Sequence, residues 1–143
     1  MQQPQILNSS SELLNSIKDL HLPDHTKLIT ADVCDLFLRI NHSKLRSKLT
    51  VFINTYLLDD PRASFIYSIV NFELSHQVFT FNDMAYQQTK GIFMGTPFSP
   101  LLANLYLLEF DSIIYNHNDT IIYRRYMDDI FYVYSGPSNP PPI

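Results

Sequence analysis

Three carboxylates have the type and spacing to do chemistry. Asp32 lies in the run Leu28-Ile29-Thr30-Ala31-Asp32-Val33; Asp128, 96 positions later, and its neighbour Asp129 lie between Ile121-Ile122-Tyr123-Arg124-Arg125-Tyr126 and Ile130-Phe131-Tyr132-Val133-Tyr134. Such β-branched and aromatic runs read as strands: the first as a buried strand ending in an acid, the other two as a hairpin with acids at its tip. If those strands are neighbours in one sheet, the three acids converge. Clustered like charges repel and persist mainly where cations neutralise them, and hard oxygen donors select Mg²⁺ or Mn²⁺. Two such ions about 3.5 to 4 Å apart can hold a phosphoryl centre, which makes phosphoryl transfer the reaction class. Spacing alone also leaves the ordinary reading open, in which an Asp-Asp pair is a solvated turn. Asp59-Asp60, before Pro61, is read as such a turn and assigned no chemistry.

The elements that must position these acids alternate between helix and strand. Residues 1–25 are polar, with one weak helical pattern at Leu13, Leu14, Ile17 and Leu20. His21 and His25 are four apart, but Pro23 intervenes and no third ligand is near, so they are not read as a metal site. Leu45, Leu49, Phe52, Ile53 and Tyr56 recur at helical spacing until Pro61 stops the helix, and a second helix is expected over 63–71. Phe79-Thr80-Phe81 and Ala85-Tyr86-Gln87 flank the turn dipeptide Asn82-Asp83, a hairpin signal. Gly91 and Gly95 punctuate the next stretch. Ser99-Pro100 then offers a capping hydroxyl and a first-turn proline for an apolar helix over 100–115. After Ser135 the composition collapses to Gly, Pro, Ser and Asn, which reads as a tail. There are no internal repeats, and interleaved helices and antiparallel hairpins make the expected class α+β.

Composition sets the outer limits. With 143 residues, 45% apolar and 17% charged, the chain has ample material for a packed core and is not disordered. No run approaches the roughly 18 apolar residues of a membrane helix. One cysteine, Cys34, excludes an internal disulfide and a Cys-based zinc site. A net charge of −4 argues against a standalone nucleic-acid binder. The opening residues do not read as a secretory signal, so the expected compartment is intracellular.

Three segments carry a resemblance. Asp32-Val33-Cys34-Asp35-Leu36-Phe37, Gly91-Ile92-Phe93-Met94-Gly95-Thr96-Pro97-Phe98-Ser99-Pro100-Leu101-Leu102-Ala103-Asn104 and Tyr126-Met127-Asp128-Asp129 resemble, in order, the three palm motifs of reverse transcriptases. The middle segment from Phe79, with Arg125-Tyr126-Met127-Asp128-Asp129-Ile130-Phe131, is most similar to Penelope-like retroelements. The likeness covers about 28–134. It implies a palm with an antiparallel sheet backed by helices and an RNA-directed DNA polymerase activity using two Mg²⁺ ions, with Mn²⁺ as a substitute. Its implied partners are an RNA template, a DNA primer and deoxynucleoside triphosphates, without a membrane.

By the same resemblance, Asp32 and Asp128 hold metal together with the backbone carbonyl of Val33, and Asp129 supports them. Phe37 packs under the incoming sugar and excludes a 2′-hydroxyl, although a plain core phenylalanine would look the same. Gln88 and the loop containing Gly91 and Gly95 lie near the nascent base pair, while Met94 packs. Tyr126 and Met127 touch the primer end, though both also suit a hairpin core.

Leu38-Arg39-Ile40-Asn41 and Phe93 depart from the family pattern. The expected division is a polar N-terminal segment over 1–26, a partial palm over 27–135 and a Pro-rich tail over 136–143. Fingers are expected to be mostly absent and the thumb absent, so a longer parent chain would supply them. The competing functional reading is a relic that folds but does not polymerise; a third is an unrelated α+β binding protein whose acids are turn residues. Element copying suggests the nucleus, although no basic import run is present.

Overall fold

The computed structural model describes residues 4–137, so the expected tail lies, from residue 138 on, outside the described residues. Its elements are α1 (Ser10–Ile17), β1 (Lys27–Asp32), α2 (Leu36–Arg39), α3 (His42–Tyr56), α4 (Ala63–Ser75), β2 (Val78–Phe81), β3 (Met84–Gln87), α5 (Ser99–Tyr115), β4 (Thr120–Tyr126) and β5 (Asp129–Tyr134). They divide into two compact units, one from the stretches up to Cys34 and from Leu107 onward, the other Asp35–Tyr106. The division falls inside α5, and the palm expected over 27–135 runs through both units.

The first unit is an antiparallel sheet of order β1-β5-β4. Period-two alternation determines its two faces. Ile29, Ala31 and Val33, with Tyr123, Ile130, Tyr132 and Tyr134, pack against Phe110 and Ile114 of α5. Leu28, Thr30 and Asp32 alternate to the other face and are exposed, Leu28 at 65%. The expectation of a buried first strand is therefore corrected. β1 is an edge strand with one neighbour, and only its α5-facing side is covered. The outer edge of β4 is covered by the N-terminal segment. Ile6 bridges in parallel to Arg125, Leu7 N–H donates to the Arg125 carbonyl, and Arg125 N–H donates to the Gln5 carbonyl, both at 2.8 Å.

In the second unit α3 opens on an Asn41 cap, whose side chain accepts from Lys44 N–H at 2.9 Å. It buries Leu45 and Leu49, and Arg46 Nε donates to Asn71 Oδ1 of α4 at 2.7 Å. α4 continues to Ser75, four residues beyond the expected end. Asn82 and Asp83 adopt φ 49° and 60° between the paired strands β2 and β3, the conformation of a two-residue primed turn. Phe79 and Tyr86 stack across that hairpin with ring centroids 5.5 Å apart. α5 begins at Ser99 itself instead of following a Ser99 cap. The Ser99 hydroxyl bonds the Thr96 hydroxyl at 2.7 Å and the Phe93 carbonyl, fastening the preceding loop to the helix.

Gly91 and Gly95 both have left-handed backbones, with φ 77° and 90°. A β-carbon at Gly91 would lie 2.7 Å from the Phe37 carbonyl oxygen and 2.8 Å from that of Leu38, whereas one at Gly95 meets nothing within 4 Å. Gly95→Ala then carries backbone strain alone, about 1 kcal/mol, and Gly91→Ala adds a collision with fixed backbone, about 3 kcal/mol in total. Urea unfolding of the two variants is expected to show that order, and equal losses would refute the close approach at Gly91.

Candidate active site

The β1–β5 register runs from Lys27 opposite Tyr134 to Asp32 opposite Asp129, and on the other side of β5 Tyr126 of β4 faces Asp129. Asp32, Asp129 and Tyr126 thus form one row across three strands, at one end of the sheet and on the face away from α5. Residues directly opposite in such a ladder have β-carbons about 4.5 to 5.5 Å apart. β4 and β5 are joined by Met127-Asp128, a two-residue loop in which Met127 takes φ 56°. Val33 N–H donates to the Asp128 carbonyl at 2.9 Å, which carries the β1–β5 pairing past Asp32 onto the turn. Chain segments about a hundred residues apart are held side by side by backbone hydrogen bonds.

Asp32 and Asp129 are exposed and Asp128 is half-buried. Two acids directly opposite one another destabilise a ladder, and none of the three acids joins a salt bridge among the described residues. Asp60 shows the contrast. Its carboxylate accepts from Arg62 Nε at 2.9 Å and Nη2 at 2.7 Å, and from the Arg62 backbone N–H; these bonds hold its pKa down to about 2. This turn neutralises its acid internally, a pairing with Arg62 that the reading of Asp59-Asp60 as a solvated turn did not include. The row of Asp32 and Asp129 is not neutralised in this way.

Among the described residues no group of three or more His, Cys, Asp or Glu side chains is arranged to hold a metal ion. Adjacency here is one of backbones and strand ends. The donor chemistry suits a hard divalent cation: carboxylate oxygens on neighbouring strands, with main-chain carbonyls close by. Val33 itself is half-buried, its side chain in the core beneath the sheet.

The remaining expected residues lie in the second unit. Phe37 is half-buried on α2, and its carbonyl accepts from Ile92 N–H at 2.8 Å. Gly91 is brought next to it: its N–H donates to the Ile40 carbonyl at 2.8 Å and its own carbonyl meets His42 Nε2 at 2.6 Å. The lack of a side chain at Gly91 is thus used inside the chain, whereas Gly95 is exposed with open space around it. The Gln88 N–H donates to the Gln77 carbonyl at 2.8 Å, and its side-chain amide to the Lys90 carbonyl at 2.9 Å. Met94 was expected to pack; it is 70% exposed on this loop.

Sequence reasoning missed a buried cluster behind the acid turn. Arg125 and Asp111 are both fully buried and joined in a fork, Nε to Oδ1 at 2.8 Å and Nη2 to Oδ2 at 2.6 Å. The Tyr123 hydroxyl donates to Asp111 Oδ1 at 2.7 Å, and Arg125 Nη1 donates to the Met127 carbonyl at 2.6 Å. A signal was present. Arg125 shares the core parity of Tyr123 on β4, and Asp111 interrupts an apolar helix three residues before the buried Ile114.

A family model for reverse transcriptase (RNA-dependent DNA polymerase) matches residues 2–140, so the chain belongs to the reverse transcriptase family. Among solved structures it is similar to apo telomerase from Candida tropicalis truncated from its C-terminal domain, at 16% identity and a TM-score of 0.67. That match covers 93% of this chain and 30% of the telomerase chain, and at this identity it establishes the fold alone. No curated protein matches. The fold is the expected α+β arrangement, an antiparallel sheet backed by helix. The family's reaction is DNA synthesis on RNA, which its members generally carry out with divalent metals. No helix among the described residues is long and apolar enough to cross a membrane.

Burial, and then the neighbouring Asp111 carboxylate, push the Tyr123 hydroxyl far above the ordinary tyrosine value near 10. A raised folded-state pKa leaves stability intact below pH 10 and erodes it above, because the unfolded chain releases a proton that the folded chain keeps. The slope is about 1.4 kcal/mol per pH unit for one proton. Urea unfolding between pH 8 and 11 is expected to show this decline and to show it reduced in Tyr123→Phe. An unchanged slope would deny Tyr123 its part.

Proposed function

We propose that this chain is the polymerase palm of a Penelope-like retroelement reverse transcriptase, adding deoxynucleotides to a DNA primer on an RNA template. The observation that carries the reading is the register of Asp32 against Asp129, with Val33 bonded to the Asp128 carbonyl: unneutralised acids of two family motifs sit side by side at an exposed end of the sheet. Such an arrangement costs stability unless a cation occupies it. Asp32 and Asp128, with the Val33 carbonyl, would hold Mg²⁺, or Mn²⁺ in its place, and Asp129 would flank them. Divalent ions bound there supply charge stabilisation to the attacking primer hydroxyl and the departing pyrophosphate oxygen. Tyr126, in the same row and 46% exposed, offers a stacking surface at the primer end. Phe37 acts as the sugar gate, and Gln88 with the loop carrying Gly91 and Gly95 lies along the template. Gly95 is the better suited of the two glycines, having open space above its backbone.

The chain covers under a third of the telomerase chain it matches, and its net charge is −4. Phosphate contacts provide most nucleic-acid affinity, so grip on primer and template is assigned to cationic parts of a longer polymerase. The charge balance also favours a second reading, a relic that folds without polymerising.

Primer extension on an RNA template with Mg²⁺, comparing a polymerase that carries this chain as its palm with the same polymerase carrying Asp128→Asn, separates the two. Asp128→Asn is expected to lower incorporation about 100- to 1000-fold, the scale on which losing one preorganised electrostatic group at a reacting centre acts; equal background from both proteins would favour the relic. In the same assay Phe37→Val is expected to relax discrimination against ribonucleotides about tenfold or more. Unchanged discrimination would leave Phe37 as a packing residue.

A further inference from the structure

The buried cluster of Asp111, Tyr123 and Arg125 is larger than stability alone requires. Removing two full charges from water costs several kcal/mol per ion, and well-packed apolar residues of similar volume usually do as well or better. A buried pair kept despite that cost calls for another reason, and the fourth contact provides one. Arg125 uses two nitrogens on Asp111 and a third, Nη1, on the Met127 carbonyl at 2.6 Å. Met127 holds a left-handed backbone at φ 56°, a conformation that costs a residue with a β-carbon about 1 to 2 kcal/mol. It is the first residue of the loop that aims Asp128. The side chain of Arg125 thus links Asp111 of α5 to the acid turn. Its backbone is held as well, by Gln5 and Leu7 on the neighbouring segment.

We propose that Arg125, braced by Asp111 and Tyr123, is a positioning residue that fixes the Met127-Asp128 turn in the geometry needed to bind divalent cations. The assignment rests on the polymerase reading above, because it supposes that Asp128 is a metal-holding acid. Arg125 touches neither metal nor substrate; it acts through the Met127 carbonyl. Outer residues that orient metal-holding groups typically govern 10- to 100-fold in affinity.

The test uses the 143-residue chain, with Mn²⁺ as the probe and water-proton relaxation as the binding readout. The triple variant Asp111→Leu, Tyr123→Phe, Arg125→Met removes the carboxylate, the phenol hydroxyl and the guanidinium together, so neither member of the ion pair stays behind as a lone buried charge, and it is expected to melt within a few degrees of the parent. It is expected to bind Mn²⁺ 10- to 100-fold more weakly. Arg125→Lys, which keeps the charge but loses the fork, is expected to fall between the two. A folded triple variant with parental Mn²⁺ affinity would overturn the positioning role while leaving the polymerase reading intact. Failure of the triple variant to fold would make the cluster a stability element and overturn it equally. If the parent chain binds no Mn²⁺, the polymerase reading itself fails and the inference goes with it.

Discussion

The antiparallel pairing of β1 with β5 is the constraint on which the rest depends. Six residue pairs, from Lys27 with Tyr134 to Asp32 with Asp129, tie the beginning of the first unit to its end. Each backbone bond contributes only about 1 kcal/mol net, but the register is not free to slip. A shift of β1 by one residue against β5 would turn Ile29 and Ala31 out of the core against α5 and drive Asp32 towards it. The burial that fixes the fold therefore also forces two carboxylates into direct opposition at the exposed end of the sheet. That local penalty, left uncompensated by any salt bridge among the described residues, is the kind of conflict that marks a functional site.

The second constraint lies beneath the first. Between the sheet and α5 the packing is aromatic, with Tyr123, Tyr132 and Tyr134 close together, Tyr123 and Tyr132 edge to face at 6.1 Å. Into this layer the chain places a fully buried ion pair, saturated by a tyrosine hydroxyl and a turn carbonyl. Stability and positioning are thereby joined. A well-packed floor holds the guanidinium, and the guanidinium holds the loop.

Much of this was legible in the sequence, and the remainder was hidden for physical reasons. Asn82-Asp83 between aromatic runs announced a hairpin turn, because such residues tolerate turn backbones, and the structure adds that both adopt left-handed conformations. The apolar spacing from Leu45 to Tyr56 announced α3, which ends at Tyr56, short of the expected stop at Pro61. The three motifs announced the family. Misread was the environment of β1: a continuous β-branched run suits a strand buried on both faces, but a strand's place in the sheet order is a tertiary property that its own residues do not encode. Arg125 and Asp111 were hidden because charged residues are presumed solvated unless parity with apolar neighbours is checked. Gly91 illustrates a different difficulty. Its need for a bare backbone was visible, but only the fold shows that the close neighbour is the chain's own Phe37–Leu38 backbone.

The central claim, that Asp32 and Asp128 act together on one set of divalent ions, is tested most directly by titrating Mn²⁺ into the isotope-labelled chain and following paramagnetic broadening of its amide resonances. The account predicts that signals around Asp32 and around Asp128 broaden together at the same low Mn²⁺ concentration, while those of Asp59 and Asp60 remain sharp. Broadening confined to one of the two segments, or no stronger there than at Asp59 and Asp60, would contradict it.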